Sequence, residues 1–242
     1  MDKKITLITG ANKGMGFELA LELGKAGQFI LLGARNKQLG QEAIKKLQSN
    51  GIETDLVLID VTNEESIKAT TKYIEQKYGR IDILINNAGI ALDNHEKPSK
   101  IKLDIVRKDF DVNFFGLISV TQNIIPLMRK AKTAKIINIS SEVGSLTLSS
   151  DPSVHRHTAV GYQASKAAVN MFTVDLANEL SDTNITVNAV NPGWVDTTFA
   201  GGGGQSGQKT VQQGVARTVE IATDESNEVS GTFSDTKGIV PW

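Results

Sequence analysis

The sequence predicts an α/β fold: one domain over residues 1–242, built as a doubly wound parallel β-sheet with helices on both faces. Three observations carry this expectation. Short, β-branched apolar runs recur without alternation, as strands buried on both faces require. Amphipathic helical segments separate them with short connections, and the first run passes through clustered glycines straight into a helical pattern. Such alternation implies right-handed crossovers and places ligand sites at the carboxyl ends of strands. With 40% apolar residues the chain can fill a full core, and neither a repeat nor a low-complexity linker marks a second domain.

Ile5 to Thr9 is the first strand. The turn Thr9-Gly-Ala-Asn-Lys-Gly-Met-Gly16 follows, then the helical positions Phe17, Leu19, Ala20 and Leu23 run up to Gly27. Strand, glycine turn and helix are what a Rossmann-type dinucleotide site requires, because the backbone can approach a pyrophosphate that rests on free helix N–H groups. Gly10, Gly14 and Gly16 depart in spacing from the commoner G-x-G-x-x-G, and the same residues also serve as a tight strand-to-helix turn. The second strand, Phe29 to Gly33, leads to Arg35, where an adenosine ribose would lie and where no carboxylate stands. A guanidinium suits a 2′-phosphate, and Lys13 adds a second cation, so NADP(H) is expected in preference to NAD(H).

A helix from Lys37 to Asn50 precedes a third strand, Asp55 to Ile59, which delivers Asp60 and Val61. Thr62-Asn-Glu-Glu65 reads as a capping box opening a helix through Tyr78. Asp60 could accept from an adenine amino group or merely cap that segment. The fourth strand, Ile81 to Ile85, runs into Asn86-Asn-Ala-Gly89, polar residues that suit either an Asx-turn or a site. A long helix from Leu103 to about Lys130 carries Asn113 in its middle, where asparagine needs a hydrogen-bonding partner if buried. The fifth strand, Lys135 to Ile139, ends at Ser140-Ser141, and a polar segment over 142–160 contains Pro152, His155 and His157.

Next comes Gly161-Tyr-Gln-Ala-Ser-Lys-Ala-Ala168, which sets Tyr162 and Lys166 four residues apart on one helix face. An ammonium there can favour the ionised phenol, whose ordinary pKa of about 10 is otherwise too high for proton exchange at neutral pH. A sixth strand, Thr186 to Asn191, leads to Pro192-Gly-Trp-Val-Asp-Thr197, and the run Gly201 to Gly204 is either a flexible lid or a plain surface loop. The tail holds a helix from Lys209 to Ala222 and a short strand, Gly231 to Ser234.

A net charge of −1 without a dense basic run gives no support to nucleic acid or an anionic membrane as partner. Absence of cysteine excludes disulfides and thiolate chemistry, and no 18-residue apolar span occurs. A soluble, cytoplasmic protein is expected. His155 and His157 have no carboxylate or cysteine partner that would suggest metal.

Thr9-Gly-Ala-Asn-Lys-Gly-Met-Gly16, Asn86-Asn-Ala-Gly89, Asn113, Ser140-Ser141, Tyr162-Gln-Ala-Ser-Lys166 and Asn191-Pro-Gly193 together resemble the short-chain dehydrogenase/reductase family over essentially the whole chain. Lys13 and the closing Ile239-Val-Pro-Trp242 look most like its carbonyl-reductase-like branch. The resemblance implies that Tyr162 passes a proton to or from the substrate oxygen, that Lys166 lowers its pKa and binds the nicotinamide ribose, that Ser141 polarises the carbonyl, and that Asn113 anchors a water in a relay through Lys166. It implies a cofactor cleft lined by Gly10, Asn12, Lys13, Gly14, Met15, Gly16, Arg35, Asp60, Val61, Asn87, Ala88, Gly89, Tyr162, Lys166, Pro192, Gly193, Val195 and Thr197. The substrate would be a small carbonyl or alcohol, and the loops at 142–160 and 194–210 would shape its pocket. Tyr162 follows Ser141 by 21 residues, longer than the family's usual spacing. The family commonly assembles as homodimers or homotetramers through the helices holding Asn113 and Tyr162, a surface this insertion could obstruct. An NAD-linked alcohol dehydrogenase and a non-catalytic NADP(H)-binding regulator are the competing readings.

Overall fold

The computed structural model describes residues 3–151, 153, 158–199, 208–226 and 228–242. Its sheet is built from β1 (Ile5–Ile8), β2 (Phe29–Ala34), β3 (Thr54–Leu58), β4 (Ile83–Asn86), β5 (Ala134–Ile139), β6 (Ile185–Val190), β7 (Phe233–Asp235) and β8 (Gly238–Ile239). They lie in the order β3-β2-β1-β4-β5-β6-β7-β8. All neighbours are parallel except β7 and β8, a closing antiparallel pair that sequence reasoning did not foresee. The reversal of strand order falls between β1 and β4, in register Leu7 to Leu84, and it opens a crevice beyond their carboxyl ends.

Helices cover both faces. α1 (Gly14–Lys25), α2 (Lys37–Ser49) and α8 (Val211–Thr223) bury Leu19, Leu23, Leu47, Val215 and Ile221 against one side of the sheet. α3 (Glu64–Tyr78), α5 (Gly116–Met128) and α7 (Val160–Glu179) bury Ile67, Ile74, Val120, Ile124 and Leu176 against the other. Strands sandwiched this way need apolar residues on both sides, which is why β4, β5 and β6 are buried throughout.

Three expectations are corrected. The cap of α3 is Asn63, whose side chain accepts from Ser66 N; the Thr62 hydroxyl instead donates to Asp60 Oδ1 at 2.7 Å, one residue out of phase with a capping box. The long helix from Leu103 is not continuous either. α4 (Leu103–Phe110) passes into a π-turn, Asp111–Phe115, before α5 begins, and Asn113 sits in that turn. The segment after β5 is not wholly loop, since Glu142–Gly144 form a 3₁₀ turn and α6 (Leu146–Ser149) follows. His155, His157 and the run Gly201 to Gly204 lie outside the described residues.

Candidate active site

The glycine turn lies across the ends of β1, β2 and β4. Ala11 N donates to Gly33 O at 2.8 Å, and Asn87 Nδ2 donates to Thr9 O and Gly10 O at 2.9 and 3.2 Å. Gly10 has φ +65°, and a Cβ there would stand 3.1 Å from Ala88 Cα, so the first glycine answers to both conformation and space. Thr9 Oγ1 accepts from Asn87 N and Ala88 N at 3.0 Å each, which draws Asn87, Ala88 and Gly89 along the crevice wall. α1 begins behind the turn with no side-chain cap and no acidic residue in its first turn. Its free N–H groups and positive dipole end therefore face the crevice, a cradle suited to a pyrophosphate. Asn12, Met15 and Gly16 belong to this turn, and Thr197 comes across from the other wall, its Cγ2 3.8 Å from where a Gly14 Cβ would be. The Lys209 ammonium donates to Pro192 O at 3.1 Å, and Val195 bridges to Lys209, pinning the strand-end segment that holds Pro192, Gly193, Val195 and Thr197.

Arg35 and Lys13 are exposed at the far end of the crevice. Asp60 shares that end. Its carboxylate is held below the usual range mainly by hydrogen bonds from the Thr62 hydroxyl and Thr62 N, with the positive charge of Arg35 a smaller contribution, so Asp60 caps its own turn through Oδ1. Val61 is half-buried beside it. Guanidinium, ammonium, uncapped helix start and glycine turn form a donor set that fits a phosphorylated dinucleotide.

At the other end, α7 brings Tyr162 and Lys166 over the ends of β4 and β5. Lys166, 4% exposed, donates to Ile139 O at 2.6 Å, and its ammonium is 5.7 Å from the Tyr162 ring centroid. The Ser141 hydroxyl hydrogen-bonds the Tyr162 phenol. Ser140 is buried instead, donating to Asn170 Oδ1 at 2.6 Å, so the two adjacent serines point to opposite sides. Asn113 is buried; its Oδ1 accepts from Ile90 N at 2.8 Å, while its Nδ2 donates to Ile90 O at 2.8 Å and to Ser165 Oγ at 3.0 Å. Phe199 packs at 5.7 Å between ring centroids against Tyr162, an apolar wall for whatever the phenol faces.

Burial pushes Tyr162 up to about 12; the Ser141 hydrogen bond acts against that rise and the charge of Asp109 adds to it. Burial also draws Lys166 down to about 8. Desolvation is thus the largest influence on both groups.

Residues 4–205 fit the model of the short chain dehydrogenase family. The chain belongs to that family. It is 36% identical to the short-chain dehydrogenase anuI of Penicillium roqueforti, covering 96% of this chain and 94% of the relative, and 28% identical to an NADPH carbonyl reductase of Mus musculus over 99% of both. An NADPH-bound carbonyl reductase from chicken fatty liver superposes with a TM-score of 0.88 at 28% identity over 100% of each chain. The chain is accordingly an oxidoreductase of this family, with carbonyl reductases among its relatives. Among the described residues no helix is long and apolar enough to cross a membrane.

Sequence reasoning missed four supports of this site. Thr9 read only as the end of a strand, and Asn170 as one polar residue in a helix, although it grips both Ser140 and Gly144 O, the latter at 3.3 Å. Asp93 and Asp109 were unremarkable in a polar stretch and on a helix. Only their convergence on α7 distinguishes them.

Proposed function

We propose that this protein is an NADPH-dependent reductase of a ketone or aldehyde. The observation that carries the reading is a Tyr162 phenol hydrogen-bonded by Ser141 and one helical turn from the buried ammonium of Lys166, which lies 5.7 Å from its ring. A bound nicotinamide cofactor supplies the hydride. Ser141 donates to the carbonyl oxygen and fixes its distance from Tyr162. As charge grows on that oxygen, Tyr162 O–H delivers the proton, and Lys166, charged below about pH 8, offsets the phenolate left behind. Asn113 holds Ile90, and so the loop leaving β4, in place beneath this group. Burial that favours the protonated phenol keeps Tyr162 in the form a general acid needs. Arg35 and Lys13 would take the 2′-phosphate, with Gly10, Gly14 and the start of α1 under the pyrophosphate.

Tyr162→Phe is the test. NADPH oxidation against a panel of carbonyl compounds should fall by roughly 10²–10⁴-fold, while NADPH binding measured by fluorescence titration stays within a factor of about two. Turnover near that of the wild type would refute the role.

A further inference from the structure

The carboxyls of Asp93 and Asp109 meet at the start of α7. Both are buried, at 2% and 0% exposure. Asp93, in the loop after β4, accepts from Gly161 N through Oδ1 at 2.9 Å and from Tyr162 N through Oδ2 at 2.8 Å, and so caps the first turn of the helix. Asp109 on α4 accepts from Leu92 N through Oδ1 at 3.1 Å, whereas its Oδ2 is buried and meets no donor. A Cβ on Gly161 would lie 2.9 Å from Asp109 Oδ2 and 3.0 Å from Asp93 Oδ1, so the two oxygens crowd one point. Two bare carboxylates are costly in so dry a place. A proton on Asp109 Oδ2, donated to Asp93, converts the orphaned acceptor into a donor and relieves the repulsion.

Building on the role given above to Tyr162, we propose that Asp93 and Asp109 share one proton and act as positioning residues, anchoring the first turn of α7 and keeping a second negative charge away from Tyr162 until the pair ionises. No bond between heavy atoms changes; on ionisation the Asp109 O–H bond breaks and the proton passes to solvent. Asp109 is accordingly held up at about 7, by burial first and then by the hydrogen bond and charge of Asp93, and its own charge raises Tyr162. Other titratable groups on the surrounding elements include Tyr162 and Lys166 in the first turns of α7, His95 and Glu96 on the loop, and the exposed Asp104, Arg107 and Lys108 of α4.

The folded chain keeps a proton that the unfolded chain, with an ordinary carboxylate near 3.8, has already lost. The stability it contributes is therefore full below about pH 4 and declines as pH rises toward 7. Thermal unfolding midpoints of wild type and Asp109→Asn, measured without substrate from about pH 5 to 8.5, should diverge, the wild type falling relative to a variant whose amide donates to Asp93 but cannot ionise. Over the same range the variant-to-wild-type ratio of kcat/KM should climb about threefold, the effect of roughly half a pKa unit of repulsion on Tyr162. Parallel midpoint curves or a pH-independent ratio would overturn the proposal. Should Asp109→Asn fail to fold, a carboxyl 13C NMR titration of the wild type keeps the test, and a midpoint for Asp109 near that of a free aspartate would overturn the proposal. Divergent midpoints without any carbonyl reduction would uphold the proton sharing and refute the reading of Tyr162.

Discussion

Gly144 shows how tightly the catalytic helix is seated. It ends the 3₁₀ turn after Ser141, and a Cβ on it would stand 2.7 Å from Lys166 C, 2.8 Å from Lys166 Cβ and 2.9 Å from Ala167 N. Ordinary contact begins near 3.4 Å, so in Gly144→Ala the helix must retreat by about 0.7 Å, since two of these are backbone atoms and the Cβ is fixed to the backbone, and none can swing aside. Overpacking of this kind costs about 1–3 kcal/mol, which for a chain of this length lowers Tm by about 2–4 °C per kcal/mol. The retreat also carries Tyr162 and Lys166 away from Ser141. Displacements on the order of 1 Å at a reacting centre cost about 10²-fold, so kcat should fall roughly 10–100-fold while the NADPH affinity set at the glycine turn changes little. Calorimetry, steady-state kinetics with a carbonyl substrate and cofactor titration separate these effects. Wild-type kcat with an unchanged Tm would show that α7 floats free of the 3₁₀ turn and refute the reasoning.

Arg35→Asp removes the guanidinium and installs the carboxylate that a ribose 2′-hydroxyl prefers; the kcat/KM ratio of NADPH over NADH should drop roughly 10–100-fold, the worth of one charge-assisted hydrogen bond, and an unchanged ratio would exclude Arg35 from the 2′-phosphate. The reductive kcat/KM should decline above about pH 8, approaching tenfold per unit, because burial lowers Lys166 and its charge is lost there; a level profile to about pH 9.5 would mean that this charge is not needed.

The parallel sheet was legible because strands buried on both faces are written as uninterrupted apolar runs, and the crevice because Gly10 to Gly16 interrupt one of them before a helix. Tyr162 and Lys166 were legible from an i, i+4 spacing that any helix enforces. The direction of their pKa shifts was not, since burial depends on β4, β5 and the segment after Ser141, remote in sequence. The π-turn left no mark either. Its neighbours Val112, Phe114 and Phe115 suit a regular helix, and the irregularity is imposed by what Asn113 and Asp109 must reach. Asp60 was ambiguous in sequence because a short acidic side chain after a strand serves turn and ligand alike, and the structure adds the turn role through Thr62.

The extra residue that the π-turn absorbs works as a phase joint. Before it, α4 aims Asp109 at Leu92 and α7; within it, Asn113 reaches Ile90; beyond it, α5 sets Val120 and Ile124 into the core. Successive residues of a regular helix are turned by about 100°, so excising one residue between Asp111 and Phe115 would heal the backbone hydrogen bonding yet force one half out of register with its partners. Either the core rows of α5 would rotate outward, or the polar contacts to the β4 loop would break. A stretch of chain that looks, residue by residue, like the most deletion-tolerant kind of helix is thus fixed in length to the single residue.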